Sequence, residues 1–205
     1  MMNANYRLIH TTITGIDLTF KTSSRLFSPR YIDKSTLAML SLVELAADEK
    51  VLDLGCGYGV VGIWAAKLIG PDNVVMLDID PEAVEISREN AKLNRVEGVR
   101  IYQSDGFRNM EETDFSTIIC NPPYHTDFAV AKHFVHKGFN RLRIGGRMYM
   151  AAKRELWYKN KLNGIFGNVR IWHKEDYSVF LSVKQSSTYA KVLQKRNHLE
   201  KYTGM

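Results

Sequence analysis

Two stretches rich in β-branched and aromatic residues, Arg7 to Ile13 and Ile16 to Thr22, flank Thr14-Gly15 and predict a hairpin. Ser23 to Arg30 reads as a loop. A helix follows with Asp33 as its cap, and Leu37, Leu40, Val43, Glu44 and Ala47 repeat at helical spacing. From there strand and helix patterns alternate. Short apolar strands are expected at Val51 to Leu54, Val74 to Leu77, Val99 to Tyr102 and Ser116 to Cys120. Helical patterns fall between them at Val60 to Leu68 and at Pro81 to Leu93, where proline takes the first turn. Phe128 to Leu142 also reads as helical. It is expected to close at Gly145-Gly146, which would open a strand from Arg147 to Ala151. Glu155 to Phe166 is a further helix, and Val169 to His173 with Tyr177 to Val183 an antiparallel pair. This alternation predicts an α/β fold, a doubly wound, seven-stranded, mostly parallel sheet with an N-terminal β-hairpin. The domain is expected over residues 1–185, followed by a basic tail over 186–205 carrying Lys191, Lys195, Arg196 and Lys201.

Composition narrows the class. The 205 residues carry a net charge of +6, unevenly placed. Asp48 to His136 holds 15 acidic and 8 basic residues, whereas Lys137 to Lys174 holds 10 basic residues and the single acid Glu155. No apolar run approaches the roughly 20 residues of a membrane span. Met1 to Leu8 lacks a charged-then-apolar leader, so a cytoplasmic location is expected. Cys56 and Cys120 form neither a disulfide framework nor a zinc pattern. His133 and His136 lie one turn apart without acidic or thiol companions, so no metal is expected.

The most informative segment is Val51-Leu52-Asp53-Leu54-Gly55-Cys56-Gly57-Tyr58-Gly59, a strand running through three alternating glycines into a helix. Glycines permit the tight turn and close approach of a ligand, and dinucleotide sites share this feature. Asp53, however, would repel a pyrophosphate and can hold an ammonium group. Asp78 ends the second strand, where a carboxylate accepts from ribose hydroxyls. Asp105, in Gln103-Ser104-Asp105-Gly106, can accept from an adenine amino group. Singly, each acid serves equally well as a cap. In order at three successive strand ends, they fit an adenosine bearing an amino acid.

Asn121-Pro122-Pro123-Tyr124 follows the fourth strand of the sheet. An amino group conjugated to a ring is a poor nucleophile because its lone pair is delocalised. Hydrogen bonds from it to the Asn121 side-chain oxygen and the Pro122 carbonyl would draw it toward tetrahedral geometry. Proline holds the carbonyl direction, and Tyr124 offers a stacking face for a planar base.

These segments resemble the motifs of class I S-adenosylmethionine-dependent methyltransferases. The resemblance implies that S-adenosylmethionine is the cofactor. It places Asp53, Gly55, Cys56 and Gly57 along the methionine moiety, Asp78 on the ribose, and Ile79, Asp105 and Gly106 around adenine, with Asn121 beside them. Asn-Pro-Pro-Tyr is similar to the signature of amino-methylating enzymes: adenine-N6 DNA, glutamine-N5 protein and guanine-N2 RNA methyltransferases. Phe20 to Ser28 and Ile165 to Val169 resemble segments of the small-subunit ribosomal RNA guanine-N2 methyltransferases, and this likeness runs from Leu18 to Lys184. That group often has Gly at Arg25 and Phe at Tyr124. The resemblance implies methylation of an exocyclic amino group in RNA, guanine N2 first, by Asn121, Pro122 and Tyr124. A glutamine-N5 protein methyltransferase is the alternative, followed by a non-catalytic cofactor-binding RNA module.

The basic stretch fits an RNA partner. Lys153 and Arg154 follow the fifth strand of the sheet, so they and His125, beside Tyr124, are expected to touch substrate. Trp157, Tyr158 and Trp172 can stack on bases or pack internally. Monomer and homodimer both remain open.

Overall fold

The computed structural model describes residues 6–105, 107, 110–122, 128–174 and 176–190. The hairpin forms as expected from β1 (Tyr6–Ile13) and β2 (Ile16–Ser23). Thr14 and Gly15 both take positive φ, 47° and 84°, the mirror-image turn whose twist suits a two-residue hairpin. Seven further strands form one sheet: β3 (Val51–Leu54), β4 (Val74–Asp78), β5 (Arg100–Gln103), β6 (Phe115–Cys120), β7 (Leu142–Ala152), β8 (Arg170–Lys174) and β9 (Tyr177–Val183). Their order is β5-β4-β3-β6-β7-β9-β8, parallel from β5 to β7 and antiparallel in the last two pairings.

Among the described residues five α-helices cover the sheet: α1 (Lys34–Leu40), α2 (Val60–Ile69), α3 (Pro81–Leu93), α4 (Phe128–Arg141) and α5 (Glu155–Phe166). Successive residues of a strand face opposite ways, so the strands feed two cores. Val51, Met76 and Ile119 pack with α1, α2, α3 and the hairpin, while Leu52, Leu77 and Ile118 pack with α4 and α5. The winding reverses between β3 and β6. At such a switch point the loops at the strand ends diverge and leave a crevice.

The hairpin is tied down by an unusual pairing. Asn90 on α3 and Asn94, its C-cap one turn further on, treat β2 as a neighbouring strand would. Asn90 accepts from the Lys21 N–H at 2.6 Å and donates to the Lys21 carbonyl at 2.8 Å. Asn94 does the same for Thr19, at 3.0 and 2.7 Å. The outer edge of β2 is thereby satisfied without another strand. Asn90 also donates to the Tyr58 carbonyl at 2.8 Å, which joins the hairpin to the glycine turn.

Two expectations fail. The helix capped by Asp33 stops at Leu40 and does not continue to Ala47. Beyond it the Leu42 and Val43 amides turn back to the Met39 and Leu40 carbonyls. The chain then runs to Glu49, which accepts from the Thr117 hydroxyl at 2.7 Å and pairs with Arg147. Tertiary bonds override the helical spacing there. Gly145-Gly146 does not close a helix either, because both glycines lie inside β7. Phe115 opposes Leu142 and Thr117 opposes Arg147, so two positions on β6 face five on β7 in a bulge. A Cβ on Gly146 would sit 2.8 and 2.9 Å from the Arg143 and Phe115 carbonyl oxygens, so this crossing admits only glycine.

Asn90→Ala strands the Lys21 amide groups and the Tyr58 carbonyl. It is expected to lower the urea-unfolding free energy by about 2–3 kcal/mol. A loss below about 0.5 kcal/mol, the scale of an ordinary surface change, contradicts the pairing as described.

Candidate active site

The site is built where β3, β4 and β6 end. Gly55, Gly57 and Gly59 all take positive φ, at 79°, 54° and 97°, which turns the chain tightly from β3 into α2. Backbone bonds lace this turn to the next strand. The Gly55 and Cys56 amides both donate to the Leu77 carbonyl at 2.9 Å. The Asp78 side chain completes the lacing, accepting from the Gly57 N–H at 2.7 Å and from the Asp80 N–H at 2.9 Å. Burial raises the Asp78 carboxyl above its ordinary range; these two amides and that of Ile79 oppose the shift, and the Asp80 charge adds to it. The Ser104 N–H donates to the Asp78 carbonyl at 2.8 Å, which brings in the end of β5.

A cavity of about 540 Å³ opens beside these bonds. Gly55, Gly57, Asp78, Ile79, Asp105 and Asn121 line it, so six of the expected residues converge there. Asp53 and Cys56 sit behind the turn. Asp53 is only 2% exposed and accepts from the Gly62 N–H at 2.8 Å, and the Cys56 thiol lies 3.7 Å from the Ser87 hydroxyl. Asn121 is half-buried, with its Nδ2 bonded to Asp33 and Thr36, and Pro122 is buried beside it. Gly106, Tyr124 and His125 lie outside the described residues, as does the tail from residue 191.

Lys153 and Arg154 are exposed at the end of β7 and are absent from the cavity wall. The Lys153 ammonium lies 4.9 Å from the Tyr177 ring centre. The Arg154 guanidinium lies 4.9 Å from that of Phe128, which stacks on Trp157 at 4.3 Å. Tyr158 is core, stacked on Phe180, and Trp172 lies under Arg170. Two members of the basic run are tied to neighbouring loops. Arg147 is bonded to Glu49, and Arg141 donates to the Glu112 carbonyl at 3.0 Å.

The structure adds walls that the sequence reading missed. Arg25, Leu26 and Phe27 close one side, with Arg25 reaching Glu82 at 3.8 Å. Val130 and Phe134, one turn apart on α4, close another. Their helical spacing was a visible signal, although the surface they would meet was not.

S-adenosylmethionine fits this lining on three counts. Ile79 is 62% exposed at the cavity, an apolar face that an adenine ring would cover. Asp78 presents a carboxylate with acceptor capacity beyond its amide bonds, as ribose hydroxyls require. Asp78, Asp80 and Asp105 make the wall acidic, which suits a cationic sulfonium and repels a pyrophosphate.

Comparison with known proteins agrees with this geometry. The chain matches the family described as methyltransferase small domain over residues 17–181. It is 30% identical over 174 residues to uncharacterized protein YbxB of Bacillus subtilis (strain 168), covering 82% of this chain and 87% of YbxB. It is 29% identical over 187 residues to ribosomal RNA large subunit methyltransferase G of Pseudoalteromonas translucida (strain TAC 125), covering 87% of this chain and 49% of that protein. A similar fold occurs in the T. thermophilus 16S rRNA N2 G1207 methyltransferase (RsmC), solved in complex with AdoMet and guanosine. There the TM-score is 0.81 and the identity 26%, covering 90% of this chain and 52% of that one. The chain therefore spans most of YbxB and about half the length of the other two.

Burial pushes the Asp53 carboxyl from its ordinary 3.8 up to about 7; the Gly62 amide opposes the shift and the Asp78 charge adds to it. The unfolded chain releases this proton near 3.8, whereas the folded protein keeps it until about 7. The stabilisation is thus complete below the unfolded value and is lost as pH rises through the folded one. Without cofactor, the unfolding free energy is expected to fall by on the order of a few kcal/mol between about pH 4 and 7, and Asp53→Asn to flatten that fall. Parallel pH profiles for the two proteins would overturn this.

Proposed function

The chain belongs to the methyltransferase small domain family, and on that premise we propose that it is an S-adenosylmethionine-dependent N-methyltransferase acting on an exocyclic amino group of RNA, guanine N2 of small-subunit ribosomal RNA. The observation that carries the reading is the position of Asn121. It directly follows β6 on the same cavity wall as Gly55 and Asp78, so an amino-group acceptor and a nucleoside pocket share one space. When bound, S-adenosylmethionine supplies an electrophilic sulfonium-borne methyl group.

The protein's contribution is orientation. Asn121 Oδ1 and the Pro122 carbonyl accept from the amino group and bend its lone pair out of conjugation. Alignment of this kind carries most of the rate in a reaction that requires no prior deprotonation. Tyr124 and His125 are assigned to the target base, the first by stacking. Lys153 and Arg154 are assigned to the flanking phosphates, and their exposure at the end of β7, beside the Phe128–Trp157 stack, supports this. The named activities of RsmC and of methyltransferase G support an RNA target. A cytoplasmic location is part of this proposal. Among the described residues no helix is long and apolar enough to cross a membrane.

The test incubates the protein with tritiated S-adenosylmethionine and total RNA from a strain lacking the gene, then digests to nucleosides. N2-methylguanosine is expected, and Asn121→Ala should cut its formation by about 100-fold or more. Label confined to protein overturns the RNA reading and favours glutamine-N5 transfer. Joint replacement of Lys153 and Arg154 by Ala is expected to lower the slope of log affinity against log salt by about 1–2. An unchanged slope removes them from the interface.

A further inference from the structure

Asn121 has two chemically opposite ends on one side chain. An amide oxygen accepts from an amino group, and an amide NH₂ repels it. A half-turn about the last side-chain bond exchanges the two, so the proposed chemistry needs something to choose between them.

The beginning of α1 supplies it. Asn121 Nδ2 lies 3.1 Å from Asp33 Oδ1 and 2.9 Å from Thr36 Oγ1. A carboxylate only accepts, so it admits the NH₂ end of the amide and excludes the oxygen. Asp33 is itself held in place. As the N-cap of α1 it accepts from the Ser35 and Thr36 amides, at 3.0 and 3.3 Å, and from the Ser35 hydroxyl. The bond to Asn121 is additional to capping, and the Thr36 hydroxyl plays no part in the cap. Thr36 is buried, so its contact with Nδ2 is shielded from water. Asn121 meanwhile lines the cavity.

We infer that Asp33 and Thr36 are positioning residues that lock the Asn121 amide with its NH₂ toward α1 and its oxygen toward the incoming amino group. The inference rests on the methyltransferase reading and adds to it two residues from a helix 85 or more positions away in the chain. It also explains why this helix begins where it does. Arg25 to Phe27, in the segment that leads into Asp33, form a wall of the cofactor cavity, so one stretch of chain contacts the methyl-donor pocket and sets the methyl acceptor's partner.

Thr36→Val tests this directly, because it removes the hydroxyl, keeps the shape and leaves the Asp33 cap intact. The kcat for RNA methylation is expected to fall about tenfold or more. The KM for RNA and the calorimetric Kd for S-adenosylmethionine should stay within about twofold, since neither is set by the amide's orientation. Thr36→Ser should restore most of the rate. Asp33→Ser, which retains a capping hydroxyl but is too short to reach Asn121, should lower kcat in the same way. In an Asn121→Ala background, Thr36→Val should have no further effect. A wild-type kcat in both Thr36→Val and Asp33→Ser overturns the inference, as does an equal loss from Thr36→Val with and without Asn121. A wild-type protein that labels no RNA overturns the reading beneath it, and the two failures are thereby told apart.

Discussion

Parallel strands that enter a sheet from one edge must all leave it at the other, and the site depends on that constraint. Leu54 pairs in register with Leu77, Asp78 with Gln103, and Asp53 with Ile119. The residues that follow, the glycine turn, Asp78 with Ile79, Asp105, and Asn121, are therefore delivered to one level of one edge. The reversal of winding between β3 and β6 keeps the next helices from filling the space. The Asp78 carboxylate then fixes the details, since its bonds to the Gly57 and Asp80 amides hold two of these strand ends together.

The remainder of the molecule supports that edge. The hairpin is fastened to α3 through Asn90 and Asn94, and Asn90 reaches on to Tyr58 in the glycine turn. The chain then passes Arg25 to Phe27 along the cavity and arrives at Asp33, which holds Asn121. The N-terminal segment thus works as a brace between the pocket for the donor and the group that meets the acceptor. Three acids of the acidic region detected in the sequence, Asp78, Asp80 and Asp105, line this cavity. Within the basic region, Arg141 holds the loop before β6 and Arg147 the loop before β3.

What was legible in the sequence was local or periodic. Alternating apolar runs gave the sheet and helices, and α3 matched its expected span from Pro81 to Leu93 because proline and Asp80 mark its start. The glycine turn was legible because positive φ at three alternating positions demands that residue. What escaped was set by contacts distant in sequence. α1 ended early because Glu49 is needed at Thr117 and Arg147. Gly145-Gly146 imitates a helix stop, yet its role is a close crossing against Phe115. Asp33 was visible as a cap, whereas its bond to Asn121 depends on a partner 88 positions away. Asp53 was expected beside the ligand, and the structure places it behind the turn that the ligand would touch.

A crystal structure of the protein with S-adenosylhomocysteine would show whether one cavity joins an adenosine-binding strand edge to an amino-group acceptor. Ribose hydroxyls are expected within hydrogen-bond distance of Asp78, the adenine against Ile79, and the sulfur on the side of the cavity occupied by Asn121. A nucleoside bound elsewhere, or bound here with its sulfur turned away from Asn121, would contradict this arrangement.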